Sequence, residues 1–555
     1  MTFQPRSLPA IEVSPTVSPT DTGSPTGPRT RPVSGATTRA RLGRWVLFSA
    51  LFAGNPASAG EPATPRPAAA PSNGGTTGNV PEEMVLNYHL MHPGGTSSPA
   101  DPNAAFYLDG TYHLHYILAQ AWRDKRSYCF VHVTSPDMLH WTWQTTKLHP
   151  PFTGHGMYSG TGFITKEGRP AIIYHGQASE GNHIVIAKDN QLSAWEKPYH
   201  VKYLMPDGTP PLKRQWDPDC FLIGDTYYAI SGGQQPPLIK SKDLKNWTYV
   251  GPFLKHDMPD VIIGEDISCA NFFPLGNKWM LLNLSHPLGA RYYLGTWDAK
   301  AEQFVPEKHG RMNWRNDDKS HEPMYRGVAA PESVLTPDGR RVMWVWLAMT
   351  DGGLTSRTIQ TLPRELSLPA DGILRIMPLR ELEAQRYDLF ERENVTIKPP
   401  GNLLHSGSAT PRITELTGDA FEIRVTVARA EAARKRFGFT LFADGKGGGL
   451  PIVFRPDTGT LRVGTTEAPF AVAELPAGED VELRIFVDKY IVEVFANNRQ
   501  AMVAIHMDRE GKIGFDGYSF GAPTTIRKIE IWKLKPTNAG FRAAQQNRNW
   551  APATQ

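Results

Sequence analysis

A recurring turn is the feature that most constrains how this chain can fold. Five times between residues 82 and 382, a turn containing glycine is followed by an alternating run rich in aromatic residues. Successive turn glycines are separated by 58, 56, 52 and 63 residues. Such turns are typical of β-hairpins, and a near-regular period of this kind is typical of a propeller with one four-stranded sheet per repeat. The sequence therefore predicts five blades, with hairpins at Gly110, Gly168, Gly224, Gly276 and Gly339.

A second internal repeat supports the same architecture. Residues Ser135–Trp141 and Ser241–Trp247 share a Ser-x-Asp-x-x-x-Trp frame. Because the frame falls in the first and third repeats, it predicts that these two blades use the same turn before their outer strands.

Beyond residue 382 the pattern changes. Residues 395–535 contain short alternating strands separated by turns rich in Gly, Pro or Asp, which is typical of a β-sandwich. The sequence thus predicts an all-β chain. Its parts are a leader with an export signal and a linker (1–80), a five-bladed β-propeller (82–382), a charged, helix-permitting connector (383–394), a β-sandwich (395–535) and a frayed tail (536–555).

The leader has the pattern of an export signal. Three arginines at positions 39, 41 and 44 precede the apolar stretch Trp45–Gly54, and the small residues Ala57-Ser58-Ala59 follow it. This stretch is too short to cross a bilayer, which takes about 20 residues. The Pro/Ser/Thr-rich segment Met1–Thr38 is longer than an ordinary n-region. We expect an exported protein, periplasmic or extracellular, with no membrane span.

Charge and cysteine content narrow the class of partner. Residues 1–59 hold six arginines against two acidic residues and account for the whole formal net charge of +4. The rest of the chain lacks the basic excess of a nucleic-acid-binding protein. The three cysteines have no metal-ligand spacing and are expected to be buried apolar residues. We expect a neutral partner and no metal or cofactor, and the sequence holds no signal for an oligomeric state.

A propeller places the first strand of every blade against a central axis, so residues shortly before each hairpin glycine are expected to line one funnel. Carboxylates are frequent there. Two carboxyl groups ~5 to 5.5 Å apart suffice for retaining glycoside hydrolysis, whereas ~6.5 to 9.5 Å leaves room for a water and predicts inversion. The residues at these positions are Asp101, Ser159, Asp217, Ser268 with Glu265 and Asp266 just upstream, and Glu332.

Short motifs follow one another in a fixed order along the chain. They include Ala100-Asp101-Pro102-Asn103, His132-Val-Thr-Ser-Pro-Asp137, Tyr158-Ser159-Gly160, Asp217-Pro218, Ala330-Pro331-Glu332-Ser333 and Asp488-Lys-Tyr-Ile-Val-Glu-Val-Phe495. In this order they resemble the family-32 glycoside hydrolases, the family of invertases, levanases and inulinases. The resemblance implies a five-bladed propeller followed by a β-sandwich. It also implies cleavage of β-fructofuranosidic bonds in fructan, sucrose or related oligosaccharides through a covalent fructosyl-enzyme intermediate, without a cofactor.

The resemblance also implies roles for individual residues. Asp101 resembles the nucleophile of the family, and Asp217 resembles the carboxylate that binds fructose hydroxyls and stabilises the oxocarbenium-like transition state. Further residues are expected to contact the substrate, which is a carbohydrate. They are Asn103, Trp141, Ser159, Trp216 and Asp266.

The general acid/base is where the chain departs from the family. The family has a Glu directly before a Cys, whereas Ser268 precedes Cys269 here. We predict Glu265 as the acid/base, because a Glu reaches further from a loop and Gly264 permits an irregular backbone. Asp266 remains the alternative, because strand alternation puts it on the same face as Ser268.

Other departures leave the substrate open. Trp216 stands where the family has Arg, Ile117 where it has Gln, and Ala104 where it has Gly. Exchanging a polar group for an apolar one changes which sugar or linkage a site accepts. Two rival functions therefore remain: a glycosidase of a related five-bladed family that acts on arabinosides or galactosides, and a non-catalytic carbohydrate-binding propeller.

Overall fold

Strands dominate the part of the chain that the structure, a computed structural model, describes. The described residues are 80–94, 100–179, 181–211, 215–259, 261, 265–314, 327–349, 357–399 and 411–552. The predicted export signal lies outside them. Within them there is no helix long and apolar enough to cross a membrane.

Twenty strands form five antiparallel four-stranded sheets, each built from consecutive strands. Blade 1 contains β1 (Pro102–Leu108), β2 (Thr111–Trp122), β3 (Lys125–Ser135) and β4 (Thr142–Leu148); blade 2 contains β5 (Gly156–Ile164), β6 (Pro170–Gln177), β7 (Asn182–Ile186) and β8 (Tyr199–His200); blade 3 contains β9 (Asp219–Ile223), β10 (Thr226–Ile230), β11 (Pro237–Ser241) and β12 (Trp247–Pro252). Blade 4 contains β13 (Ser268–Leu275), β14 (Lys278–Ser285), β15 (Gly289–Asp298) and β16 (Gln303–Arg311); blade 5 contains β17 (Val328–Leu335), β18 (Arg341–Leu347), β19 (Arg364–Ser367) and β20 (Arg375–Pro378).

The first strands of the five blades contact one another in a closed ring, in the order β1, β5, β9, β13, β17 and back to β1. Each predicted hairpin glycine lies in the turn between the first and second strands of its blade. All five have positive φ, from 60° at Gly276 to 84° at Gly339, a conformation that costs other residues roughly 1–2 kcal/mol. The repeat in the sequence is therefore the repeat of the fold.

The second repeat is also observed. In blades 1 and 3 the shared frame forms the turn between the third and fourth strands. Asp137 Oδ1 accepts backbone bonds from Leu139 (3.0 Å) and His140 (2.9 Å). Asp243 Oδ1 accepts the equivalent two bonds in blade 3. The Asp of the frame is thus the residue that fixes the turn.

Two six-stranded sheets pack face to face in the second domain. Their strand orders are β21-β32-β23-β28-β29-β30 and β22-β31-β24-β25-β26-β27. Alternate side chains point inward from both sheets, as in Ile423, Phe439 and Leu483, and form one apolar core. The strands are β21 (Arg386–Ile397), β22 (Arg412–Glu415), β23 (Ala420–Val427), β24 (Phe437–Ala443), β25 (Leu450–Arg455), β26 (Thr460–Val463), β27 (Thr466–Pro469), β28 (Val481–Asp488), β29 (Ile491–Ala496), β30 (Gln500–Ile505), β31 (Gly514–Ser519) and β32 (Thr524–Leu534).

The described residues contain few helices. The α-helices are α1 (Pro150–Thr153), α2 (Arg429–Arg434) and α3 (Ala539–Asn547), and short 3-10 helices occur at Glu82–Met84, Arg380–Gln385 and Val472–Glu474.

The connector expected at residues 383–394 takes a different form. A 3-10 helix ends at Gln385, and β21 starts at Arg386 as the edge strand of a sandwich sheet. Most of its side chains are exposed, so its residues can be charged without alternation. For that reason β21 could not be recognised from an alternating pattern in the sequence.

The frayed tail expected at 536–555 is also corrected up to residue 552. Helix α3 packs on blade 1, where Phe541 makes an edge contact with Trp143 at 6.1 Å between ring centres. Trp550 is buried, and its carbonyl accepts a 2.7 Å bond from Thr146 Oγ1. Two large apolar side chains anchor this segment, which has no strand pattern.

A buried charged network joins the propeller to the sandwich. Asp488 accepts bonds from the backbone N–H of Asn87, Tyr88 and His89, at 2.8 to 3.0 Å, and from His89 Nδ1 at 2.9 Å. Glu493 accepts bonds from His89 Nε2 at 3.2 Å and from Arg364 Nη2 at 2.7 Å. Both carboxylates belong to the motif Asp488–Phe495, which therefore holds the two domains together.

Candidate active site

The candidate site lies where the first strands of the blades begin. Asp101 immediately precedes β1, Asp217 precedes β9 by two residues, Ser159 lies in β5 and Ser268 opens β13. Inner strands of a propeller all start at the same end of the central channel. Asp101, Ser159, Asp217 and Ser268 therefore converge on one end of the propeller, and the hydrogen bonds around them define the site.

Asp101 is buried, and only one of its two carboxylate oxygens accepts a hydrogen bond from the residues that the structure describes. The residue is only 5% exposed, and Ser159 Oγ donates a 2.6 Å hydrogen bond to Oδ2 of the carboxylate. Oδ1 accepts no hydrogen bond from any residue that the structure describes. Burial and, to a lesser extent, the charge of Asp217 raise the pKa of Asp101 to about 7, while the bond from Ser159 opposes this rise.

Asn103 supports Asp101 through the backbone. Its amide nitrogen donates to the carbonyl oxygen of Asp101, and its Oδ1 accepts a 3.1 Å bond from the N–H of Gly160. The amide thus ties blade 1 to blade 2 at the base of the carboxylate. In this structure Asn103 positions the carboxylate and does not bond to it.

Asp217 faces Asp101 across a thiol. Cys269 Sγ lies 3.6 Å from Asp217 Oδ2 and 3.9 Å from Asp101 Oδ2. Ser268 Oγ donates a 2.6 Å bond to Asp217 Oδ2, and Trp216 Nε1 donates to Ser268 Oγ at 3.2 Å. Asp217 has φ 41° and Cys269 has φ 45°, left-handed conformations that cluster at functional sites.

Glu265 is paired with an arginine. Its carboxylate contacts the guanidinium of Arg291, and both side chains are buried. A neighbouring positive charge favours the ionised form of a carboxyl group, whereas a general acid has to carry a proton. The role of Glu265 as acid stays a prediction, and this pairing weighs against it.

Asp266 holds a histidine that the sequence analysis did not select. Asp266 Oδ1 accepts a 2.9 Å bond from the backbone N–H of His286, and Oδ2 contacts His286 Nδ1. Burial lowers the pKa of His286, but the bond to Asp266 and the charges of Asp266, Asp217 and Asp101 outweigh it and raise that pKa above its ordinary value. His286 directly follows β14, so only the register of blade 4 could have indicated its position.

The two tryptophans differ in their placement. Trp216 lies beside Ser268 at the candidate site, and its contact with substrate stays a prediction. Trp141 is buried in the main apolar core, in edge contact with Trp344 at 6.0 Å between ring centres. The structure therefore does not bring Trp141 to the funnel, and the expectation that it contacts substrate is corrected. Its fixed spacing from Ser135 reflects the shape of the turn.

Glu332, the last carboxylate of the expected funnel, is buried among polar groups from two other strands. Burial and, to a lesser extent, the charge of Asp219 raise the pKa of Glu332 well above its ordinary value, and Arg341 opposes this effect. Asp219 Oδ2 accepts a 2.7 Å bond from the N–H of Phe272. This bond links the first strands of blades 3 and 4.

In the part of the chain that the structure describes, no group of three or more His, Cys, Asp or Glu side chains is placed to hold a metal ion.

Comparisons with known proteins identify the family of the two domains. A model described as "Glycosyl hydrolases family 32 N-terminal domain" matches residues 93–378, and one described as "Glycosyl hydrolases family 32 C terminal" matches 381–533. The chain is 26% identical to the raffinose invertase of Escherichia coli over 456 residues, covering 75% of this chain and 88% of that protein. It is 25% identical to the levanase of Bacillus subtilis over 492 residues, covering 78% of this chain and 68% of that protein.

Solved structures share the fold. Fructan 1-exohydrolase IIa from Cichorium intybus superposes with a TM-score of 0.63 at 18% identity, covering 82% of this chain and 98% of that one. The sucrose-6-phosphate hydrolase of Lactobacillus gasseri also gives a TM-score of 0.63, at 19% identity, with 82% and 94% covered. The predicted fold, a five-bladed propeller followed by a β-sandwich, is confirmed.

Proposed function

The chain is a glycoside hydrolase that belongs to family 32, and from this we propose that it cleaves β-fructofuranosidic bonds with retention of configuration. The observation that carries the proposal is the state of Asp101. One carboxylate oxygen is held by Ser159, and the other accepts no bond from the described residues. A nucleophile needs such an arrangement, because its attacking lone pair has to be available to the substrate.

In the first step, Asp101 Oδ1 attacks the anomeric carbon of the fructosyl unit, and the bond from that carbon to the leaving oxygen breaks. The departing oxygen takes a proton, and Asp101 is left as the fructosyl ester. Water then attacks the same carbon, gives up a proton, and releases Asp101 as a carboxylate. Two displacements at one carbon return the starting configuration.

Asp217 stabilises the positive charge that develops on the ring in the transition state of each step. Its carboxylate lies across Cys269 from the nucleophile, and Ser268 fixes one of its oxygens. A fixed negative group in a partly buried site acts on a developing cation more strongly than one in water. The left-handed backbone at Asp217 sets the direction of the carboxylate.

The substrate class follows from the relatives and from Trp216. The named relatives include a raffinose invertase and a levanase, and fructan 1-exohydrolase IIa was solved in complex with 1-kestose. We infer that this chain takes fructan, sucrose or a related oligosaccharide. Trp216, next to Asp217, stands where the family has Arg and donates an uncharged hydrogen bond to Ser268, so we expect a preference among these sugars that differs from that of the family.

Methanol as an acceptor tests the proposal. With sucrose or a fructan as donor, we expect the wild-type chain to form the methyl β-fructofuranoside, identified by NMR of the reaction mixture. The α-anomer would contradict a covalent intermediate. Arabinosides and galactosides are supplied as donors in parallel reactions. Release of arabinose or galactose from them, without release of fructose from sucrose or a fructan, would support the rival glycosidases, and no release from any of these donors would support the binding protein.

The pH dependence of kcat/KM tests the role of Asp101 in the free enzyme. Because the nucleophile has to be ionised, we expect kcat/KM to fall as pH drops below about 7. Ser159→Ala removes a bond that favours the ionised form and should move this limb upward by about one pH unit. Ser193→Ala, at an exposed serine bonded to Asp189, is the control and should leave the limb in place. An unchanged limb in Ser159→Ala would contradict the assignment.

We also infer that the chain is exported. The arginines at 39, 41 and 44, the apolar stretch Trp45–Gly54 and the small residues Ala57-Ser58-Ala59 support this inference. Cleavage after Ala59 would leave a linker ahead of the propeller. An exported enzyme of this kind would meet fructans and sucrose outside the cytoplasm.

A further inference from the structure

We propose that His286, held by Asp266, donates and accepts the proton in this reaction, the role that relatives give to a glutamate at the position of Ser268. The inference rests on the proposed function and deepens it. At the position of Ser268 the site has no general acid. A serine hydroxyl cannot serve as an acid near neutral pH, and that of Ser268 already donates to Asp217.

The register of blade 4 places His286 at the mouth of the site. Ser268, the first residue of β13, pairs with Leu284 of the antiparallel strand β14. Two residues further along, the chain leaves β14 and reaches His286. Antiparallel neighbours bring the start of one strand beside the end of the next. His286 therefore lies at the same end of the propeller as Asp217 and Ser268.

Asp266 holds the imidazole in one orientation. It accepts the backbone N–H of His286 at 2.9 Å and contacts Nδ1 with its other oxygen. A carboxylate on one ring nitrogen fixes the tautomer and directs the other nitrogen away from itself. The His286 side chain is 30% exposed, whereas that of Asp266 is 13% exposed. The ring is the more exposed member of the pair.

The charges around His286 favour a proton. Asp266 bonds to it, and the carboxylates of Asp217 and Asp101 act on it from the starts of blades 3 and 1. The neighbouring Glu265 is neutralised by Arg291. These charges outweigh the cost of burial and raise the pKa of His286. These charges therefore favour the protonated form of His286, the form that a general acid requires.

His286 and Asp101 together account for every proton and bond in the two steps. Protonated His286 gives its proton to the leaving oxygen as Asp101 forms the bond to the anomeric carbon, so the aglycone departs as a neutral alcohol. Neutral His286 then takes a proton from the water that attacks the fructosyl ester. The C–O bond to Asp101 breaks, fructose is released, and both groups regain their first state. The reaction needs no other reactant.

The decisive comparison uses two leaving groups. His286→Gln keeps the approximate size of the side chain and removes the acid. We expect its kcat on sucrose to fall by about 10²- to 10⁴-fold. On p-nitrophenyl β-fructofuranoside, whose leaving group needs no proton, formation of the ester should be nearly unaffected. Azide, which attacks without base assistance, should then restore turnover and yield fructosyl azide.

Three further variants complete the design, and the third of them is followed by its pH profile. His256→Gln replaces an exposed histidine and should behave as the wild type. Glu265→Gln tests the competing donor with the same two substrates. Asp266→Asn removes the charge that holds the proton on His286 and should move the high-pH limb of kcat to lower pH. A role for Asp266 in folding alone would not move that limb.

The outcomes distinguish failure of the proposed function from failure of the role of His286 alone. If the wild type releases no fructose from sucrose, from a fructan or from p-nitrophenyl β-fructofuranoside, the proposed function fails and this inference falls with it. If the wild type is active and His286→Gln keeps full activity on sucrose, only this inference is overturned. If Glu265→Gln shows the dependence on leaving group and azide instead, the donor is Glu265. The inference stands if His286→Gln alone shows both effects.

Discussion

Asp101→Asn is expected to lower kcat on sucrose by about 10⁴-fold or more, because an amide oxygen is a poor nucleophile while the size of the side chain is kept. The same substitution should stabilise the fold at high pH. The pKa of Asp101 is raised from 3.8 to about 7, so ionising this carboxyl group costs free energy in the folded state. A group of this kind makes stability fall as pH rises between these two values.

The gain in stability has a definite size and pH range. The difference between a pKa of 3.8 and a pKa of about 7 corresponds to about 4 kcal/mol. Asp101→Asn should be more stable than the wild type by this amount above pH 7, and the difference in stability should disappear towards pH 4. Urea unfolding of both proteins at pH 4 and pH 8 measures it. Asp207→Asn, at an exposed turn, is the control. A variant with a hundredth or more of wild-type activity would place the nucleophile elsewhere.

Glu493→Gln should destabilise the protein by about 3–5 kcal/mol. The substitution leaves Arg364 and His89 buried without the charge that both of them contact. Removing one member of a buried ionic group is costly, because the remaining charges stay out of water. Glu431→Gln breaks an exposed pair with Arg434 and should cost less than about 1 kcal/mol. Similar midpoints for the two variants in urea would contradict this role for Glu493.

The network also predicts how stability depends on pH. Burial opposes the charge on His89, but the bonds to Asp488 and Glu493 outweigh it and raise the pKa of His89 from 6.5 to about 9. The contribution of His89 is therefore complete below pH 6.5 and is lost as pH rises to 9, by about 3 kcal/mol. His89→Gln should flatten the stability profile in this range.

The fold could be predicted because its repeat depends on backbone geometry. Gly276 and Gly339 adopt left-handed conformations that other residues avoid. The turns can therefore be recognised in the sequence by their glycines. The strand β21 could not be predicted in this way, because its exposed edge position leaves its residues unconstrained. Helix α3 depends on tertiary burial of Phe541 and Trp550, which no local pattern records.

The site was predictable in part for a similar reason. Asp101 and Asp217 lie at the starts of first strands, which a propeller always brings together. His286 comes from the end of a second strand and reaches the site through strand pairing, a relation between residues that are distant from the motif. Trp141 was wrongly predicted to contact substrate. It occupies a regular position of the repeated motif because it packs in the apolar core.

Trapping the fructosyl-enzyme is the most direct test of the central claim that Asp101 is the nucleophile of a retaining reaction. Wild-type protein and His286→Gln are quenched in acid during turnover of p-nitrophenyl β-fructofuranoside, digested, and mapped by mass spectrometry. We predict one fructosyl unit on the peptide that contains Asp101 and none on the peptide that contains Asp217. A fructosyl unit on any other residue would contradict the account.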